Sequence, residues 1–133
     1  MLDHEEILSR VIPAVAESAD VDASEIQPSQ TFFGDLAGES IAWLDLSFRL
    51  DKEFGVRLPG LGSLGGIETD AEGRFTANGF ASLRSFMPAS LIDRVNDRAP
   101  AITAKELVEA ITVDDIAGMV ALALDSRRAV PSS

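Results

Sequence analysis

The chain has no cysteine and a single histidine, His4, at its N-terminal end. The first absence excludes disulfides and thiolate chemistry by the polypeptide itself. The second makes a Ser/His/Asp triad improbable, because a hydrolase of that kind places its histidine late in a large, strand-rich chain. Basic residues are also scarce, 11 against 22 acidic ones, for a formal charge of −11. A surface of that sign repels nucleic acid and anionic lipid. No apolar run is long enough to span a membrane. The opening Met1-Leu2-Asp3-His4-Glu5-Glu6 has none of the basic-then-apolar layout of a signal peptide. These absences lead to the expectation of a cytoplasmic protein.

What is present reads as helix. At 133 residues the chain has room for one modest core, so a single domain over 1–133 is expected. Asp3 and Glu6 form a capping-box-like start, and Ile7, Leu8, Val11, Ile12 and Val15 follow at helical spacing over about 4–18. Pro13 inside that stretch predicts a kink. Residues 20–39 read as a long loop anchored by Ile26, Phe32, Phe33 and Leu36. A second helix starts at Ser40 or Ile41 and ends near Phe54, where Gly55 suits a left-handed cap. At about 100° per residue it carries two adjacent apolar stripes. One holds Trp43, Leu46, Leu50 and Phe54; the other holds Ile41, Leu44 and Phe48. Such a wide arc suits a central helix buried on two sides, or one whose second stripe lines a pocket or meets partners. Thr103 with Glu106, and Thr112 with Asp115, cap two further helices, the last carrying Val113, Ile116, Val120 and Leu124. Arg127 onward reads as a frayed tail.

Several motifs resolve into bland readings. Gly60-x-Gly62-x-x-Gly65 matches the dinucleotide fingerprint but follows a helix where a strand is required, and reads as a flexible loop. Glu68-x-Asp70-x-Glu72-Gly73 echoes a calcium loop whose twelfth position is Gly79 in place of glutamate, and reads as a solvated hairpin tip. Asp114-Asp115 complements a helix dipole, and His4 reads as a solvated helix-end residue. No metal site and no catalytic residue is expected.

Ser40 is different. It stands in Asp35-Leu36-Ala37-Gly38-Glu39-Ser40-Ile41, between a glycine-containing loop and a helix start, flanked by carboxylates. A helix N-cap is the common use of such a serine. The segment resembles the attachment site of acyl carrier proteins, Asp-Leu-Gly-x-Asp-Ser-Leu, with the glycine displaced by one place and Glu39 before the serine. The likeness extends to Val21, Ile26, Pro28 and Phe32 in the first loop, to Asp45 and the Leu58-Pro59 exit, and to Ile111-Thr112-Val113-Asp114-Asp115-Ile116 at the last helix.

The resemblance implies an all-α, four-helix bundle of the acyl-carrier type. It implies 4′-phosphopantetheine on Ser40, attached by a phosphopantetheinyl transferase, and a monomeric shuttle, not an enzyme, serving acyl-loading and acyl-transferring enzymes. Asp35 and Glu39 would help position the modifying enzyme. Asp45, Asp51 and Glu53 would form the acidic part of the docking helix, and Ile41, Leu44 and Phe48 its apolar part. Free-standing aminoacyl or peptidyl carriers share the pattern, and an unmodified helical interaction module remains the alternative of another class. Residues 60–102 have no counterpart in the family pattern and read as an insertion, with a possible small β-hairpin around 70–73 and short helices holding Phe80, Leu83, Phe86, Leu91, Ile92 and Val95. Its apolar residues should pack on the bundle. The insertion is expected to enlarge the acyl cavity or add a partner-selective surface, which would suit a dedicated fatty-acid, lipid or secondary-metabolite pathway.

Overall fold

The computed structural model describes residues 3–36, 40–56, 58, 67–84, 87–95 and 102–129, without the side chains of Ser40, Phe80 and 126–129. Six α-helices follow one another among them: α1 (His4–Ala19), α2 (Ser40–Phe54), α3 (Ala77–Leu83), α4 (Ala89–Val95), α5 (Ala104–Ala110) and α6 (Val113–Ala129). None is long and apolar enough to cross a membrane. α1, α2, α5 and α6 are the four helices of the expected bundle, and α3 and α4 belong to the insertion. Glu39, the Gly60–Gly66 loop, Pro59 and Phe86 lie outside the described residues.

The helix ends follow their local chemistry. Asp3 caps α1 by accepting a hydrogen bond from Glu6 N at 2.9 Å. α1 remains helical through Pro13, which is exposed, as is Ser9, whose carbonyl loses its partner there. On this exposed side water can take the place of the missing donor, so the proline is tolerated. Gly55 closes α2 in the left-handed region, at φ 72°. Thr103 and Glu106 form a reciprocal capping box on α5. On α6, Asp115 N donates to Thr112 Oγ1 at 3.1 Å while Thr112 N donates to the Asp115 carboxylate at 2.9 Å. α6 continues through Arg127 and Arg128 to Ala129, beyond the start of the expected tail.

The long loop between α1 and α2 has structure of its own. A 3₁₀ turn spans Ala23–Glu25 and a single π-turn spans Phe32–Leu36. Ile26 and Phe32 are buried, and Phe33 and Leu36 pack against the core. Backbone bonds tie this loop to the α5–α6 corner: Phe32 N to Ile111 O at 2.9 Å, Val113 N to Gln30 O at 3.0 Å and Asp114 N to Pro28 O at 3.0 Å. His4 Nε2 lies 2.7 Å from Asp114 Oδ1, so this histidine joins the starts of α1 and α6 instead of being merely solvated.

The insertion packs on the bundle. Phe75, Leu83, Met87, Leu91, Ile92, Val95 and Ile102 are buried in one cluster with Leu107, Ile116, Met119 and Val120. The hairpin is reduced to a turn with an isolated antiparallel bridge, Thr69 to Phe75. Asp70 holds that turn by accepting from the backbone N–H groups of Arg74 and Glu72, which keep its carboxyl below the ordinary carboxylate range. A second bridge, Arg74 to Thr103, clips the turn to the start of α5. The insertion meets α6 at Gly118. A Cβ there would stand 2.7 Å from the Pro88 ring, so only glycine admits this approach.

Two charged clusters fix the helix arrangement. Asp115 is fully buried and accepts from Arg94 of α4 through both guanidinium nitrogens, with Ser90 Oγ at 3.2 Å as a further donor. Arg94 also donates to Ala110 O at the end of α5, 3.1 Å away. The Asp115 hydrogen bonds raise the Arg94 pKa above its ordinary value, so the guanidinium stays charged. On the other side of the bundle, Asp45 of α2 accepts from Arg49 Nε at 2.7 Å and from Ser18 Oγ at 3.0 Å, and Arg49 reaches on to Glu17 of α1.

Both clusters yield testable expectations. Arg94→Ala strands a buried carboxylate and should cost about 3–5 kcal/mol in urea unfolding; an unchanged midpoint would show that Asp115 finds other partners. The Asp45 carboxyl is held below the ordinary carboxylate range, chiefly by the Arg49 hydrogen bond, with partial burial opposing and Ser18 assisting. A lowered folded pKa stabilises above the unfolded value, about 3.9, and that stabilisation disappears as pH falls through the folded one. Asp45→Asn should therefore reduce stability by less than about 1 kcal/mol near neutral pH, since the side chain is 47% exposed. The gap from wild type should close below about pH 4. A gap independent of pH would refute the electrostatic account.

Candidate functional site

The site is built on α2. Its inner stripe, Trp43, Leu46 and Leu50, is almost fully buried, and Phe54 is half-buried. Beneath its first turn, Phe32 meets Trp43 edge-on with ring centroids 5.7 Å apart, and Phe33 stands at 5.0 Å from Phe32 and 5.8 Å from Trp43. This aromatic wedge joins the π-turn to α2 and so fixes where the helix begins. Edge-to-face packing of this kind adds about 0.5–1.5 kcal/mol per pair beyond burial.

The outer stripe behaves otherwise. Ile41 is 71% exposed, Leu44 56% and Phe48 64%. Among the described residues these are the exposed large apolar side chains, and all three lie on this one helix. Burial of α2 on two sides, the more ordinary reading of its wide apolar arc, is thus corrected: one stripe enters the core and the other faces solvent. A stripe facing solvent does not line an interior acyl pocket either. The cause lies in the polar flank, where Asp45 and Arg49 are held toward Ser18 and Glu17 of α1 and turn the third side outward.

Ser40 is the first residue of α2, one turn before Leu44, and the first turn contains no acidic residue. Backbone N–H groups of a first helical turn have no intrahelical acceptor, and the helix dipole favours a negative group there. A phosphodiester therefore fits this end of α2, and Ile41 beside it is open to solvent. The Ser40 hydroxyl and Glu39 lie outside the described residues.

The expected acidic residues divide by what they already hold. Asp35 is exposed and accepts from Thr31 N at 2.8 Å, while its own N–H bonds Thr31 Oγ1 at 3.1 Å, so it shapes the π-turn. Asp45 is engaged by Arg49 and Ser18, and Glu53 lies 3.7 Å from Arg10. Asp51 is half-buried. Among the described residues no group of three or more His, Asp or Glu side chains is placed to hold a metal ion. The Arg94–Asp115 and His4–Asp114 pairs were not foreseen, since their partners lie 21 and 110 positions apart and no local spacing announces them.

Comparison with known proteins gives the site its context. A family model described as the phosphopantetheine attachment site matches residues 9–61, from within α1 through the following loop and α2. The acyl carrier protein of Rubrobacter xylanophilus is 34% identical over 58 residues, 44% of this chain and 72% of that protein. That of Myxococcus xanthus is 34% identical over 59 residues, 44% of this chain and 75% of its own length. Acyl carrier protein AcpXL of Rhizobium meliloti is 36% identical over 50 residues, 38% of this chain and 53% of the relative. The chain thus spans about half the length of the AcpXL proteins it matches. No solved structure gives a significant match. With a phosphopantetheine attachment segment laid over α1 and α2, and relatives aligned over most of their length, the chain belongs to the acyl carrier protein family, whose prosthetic group is 4′-phosphopantetheine.

Proposed function

We propose that this protein is an acyl carrier whose prosthetic group is attached through Ser40. The observation that carries this reading is the solvent-facing stripe Ile41, Leu44 and Phe48, starting one residue after Ser40. Leaving a large apolar side chain in water forgoes about 1.5–3 kcal/mol of burial each. Three on one helix face mark a surface that is covered in another state. On an otherwise well-buried protein, that state is a complex with a partner enzyme.

When bound, 4′-phosphopantetheine supplies a terminal thiol that holds an acyl group as a thioester, sulfur chemistry that a chain without cysteine lacks. The protein does the rest. Ser40 offers a hydroxyl that a phosphopantetheinyl transferase, drawing on coenzyme A, converts to a phosphodiester. The N-terminus of α2 favours the charge of that linkage. The aromatic wedge under Trp43 keeps the attachment point fixed relative to the docking stripe, and tethering raises the local concentration of cargo at each partner's active site. Asp35 and Glu39 flank the attachment point for the modifying enzyme. Ile41, Leu44 and Phe48 form the apolar docking contact, with Asp45, Asp51 and Glu53 around it. The chain acts as a monomeric carrier and not as a catalyst, in the cytoplasm, within a dedicated fatty-acid, lipid or secondary-metabolite pathway.

The insertion enters this reading through stability first. Its buried residues share one core with those of α5 and α6, and Pro88 and Arg94 meet Gly118 and Asp115 of α6, so its removal would open that core and strand Asp115. Any partner-selective role therefore rests with its exposed side chains.

Incubation with coenzyme A and a broad-specificity transferase should raise the intact mass by one phosphopantetheinyl group. Ser40→Ala should remain at its unmodified mass while keeping the same helical circular dichroism. A folded wild-type protein left unmodified by a competent transferase would overturn the carrier reading.

A further inference from the structure

The inserted helix α4 and the Ser40 segment are distant in the chain, yet a continuous line of contacts joins them. Arg94 of α4 donates to both carboxylate oxygens of Asp115 and to Ala110 O, so it holds the two sides of the α5–α6 corner together. Asp115 passes this constraint to Thr112, from whose N–H it accepts at 2.9 Å. Thr112 is the antiparallel bridge partner of Thr31. The flanking bonds, Phe32 N to Ile111 O and Val113 N to Gln30 O, make that pairing a short ladder. Thr31 N donates to the Asp35 carboxylate at 2.8 Å, and Thr31 Oγ1 accepts from Asp35 N at 3.1 Å. The π-turn so formed carries Phe32 and Phe33 against Trp43 in the first turn of α2, the turn that Ser40 opens.

Stability alone does not account for Arg94. Breaking a buried ion pair is costly, yet the intact pair contributes little over well-packed apolar residues, because desolvation offsets most of the attraction. What the pair supplies is direction. The guanidinium fork orients the Asp115 carboxylate so that one oxygen meets Thr112 N. Without the fork that carboxylate would turn to other donors or to water, and the Thr112–Thr31 ladder would lose its fixed edge. Modification of Ser40 is sensitive to such a shift. In that step Ser40 Oγ bonds to the phosphorus of coenzyme A that bears the pantetheine arm, and the pyrophosphate P–O bond breaks. Adenosine bisphosphate leaves, and the serine proton passes to a base of the transferase. A misplacement of about 1 Å in such a step costs on the order of 100-fold in rate.

We infer that Arg94 is a positioning residue for modification of Ser40: through Asp115, Thr112 and Thr31, the insertion braces the turn that leads into the attachment serine. This deepens the carrier reading and rests on it. It gives the insertion a role at the attachment site without contact with the transferase or the cargo. The exposed stripe of α2 is not part of this line, so binding of the transferase is left unchanged.

Trp43 is the sole tryptophan and the chain has no tyrosine, so emission from the folded protein reports on the aromatic wedge. The test uses coenzyme A and a broad-specificity transferase on wild type, Arg94→Lys, Arg94→Ala, Arg94→Ala combined with Asp115→Asn, and Leu83→Ala. Leu83 is buried in α3 outside the line of contacts, so its truncation controls for lost stability. Arg94→Lys keeps the charge and loses the fork. It should lower kcat for Ser40 modification roughly fivefold or more, with KM within about twofold and Trp43 emission shifted to the red. Adding Asp115→Asn to Arg94→Ala removes the stranded charge and keeps an oxygen for Thr112 N, so both readings should return toward wild type. Leu83→Ala should load at the wild-type rate despite a lower unfolding midpoint. If Arg94→Ala does not fold, Ser90→Ala, which removes a single Asp115 donor, takes its place beside Arg94→Lys. Folded Arg94→Lys with wild-type kcat and emission would overturn the inference, as would an equal loss of kcat in Leu83→Ala; either result leaves the carrier reading standing. A wild type that no transferase loads would remove the carrier reading and this inference together.

Discussion

A fully buried carboxylate with one long-range cation joins the inserted helix α4 to the α5–α6 corner of the bundle. Asp115 closes the capping box of α6 and simultaneously accepts from Arg94 and Ser90 of α4. Arg94 in turn reaches the last carbonyl of α5. One charged pair thus joins three helices at a corner where two helix ends would otherwise leave backbone groups unsatisfied. Burying a carboxylate is tolerable only because nearly every lone pair has a donor. The same demand for complete satisfaction makes the pair specific: α4 fits in one orientation only. Pro88 against Gly118 supplies the steric half of that fit.

The α1–α2 half follows another logic. There the charged cluster of Asp45, Arg49 and Glu17 is exposed and adds little stability, yet it decides which side of α2 faces α1. With one flank pinned by polar contacts and the Trp43 stripe in the core, the Ile41 stripe has only solvent left.

Local chemistry was what the sequence expressed most clearly. Thr103 with Glu106, Thr112 with Asp115, Asp3 before Glu6 and Gly55 after Phe54 place helix ends within a residue or two, because each cap depends on neighbours in the chain. The anchors Ile26 and Phe32 were legible for the same reason: isolated large apolar residues in a polar loop have to be buried. Less legible was the fate of the second stripe of α2, since periodicity reports that a face is apolar and not what covers it. The π-turn at 32–36 was missed because its bonds are made by Thr31 and Asp35 together with the distant Ile111 carbonyl. For the site, the residue types of 35–41 pointed to an attachment serine, and Asp45 with Arg49 stood at helical spacing, whereas the approach of Glu53 to Arg10 depended on how α1 packs on α2.

That distribution of charge bears on how a carrier of this family can be selective. If all partners bound through the summed negative field of the chain, −11 would attract any basic enzyme alike, with long-range steering and little discrimination. Here −10 of the −11 belongs to residues outside α2, while the helix that carries the exposed stripe is close to neutral and apolar on its outer face. For the proposed carrier, a nearly neutral α2 with an apolar outer stripe makes short-range fit, more than overall acidity, the basis on which partners would be told apart.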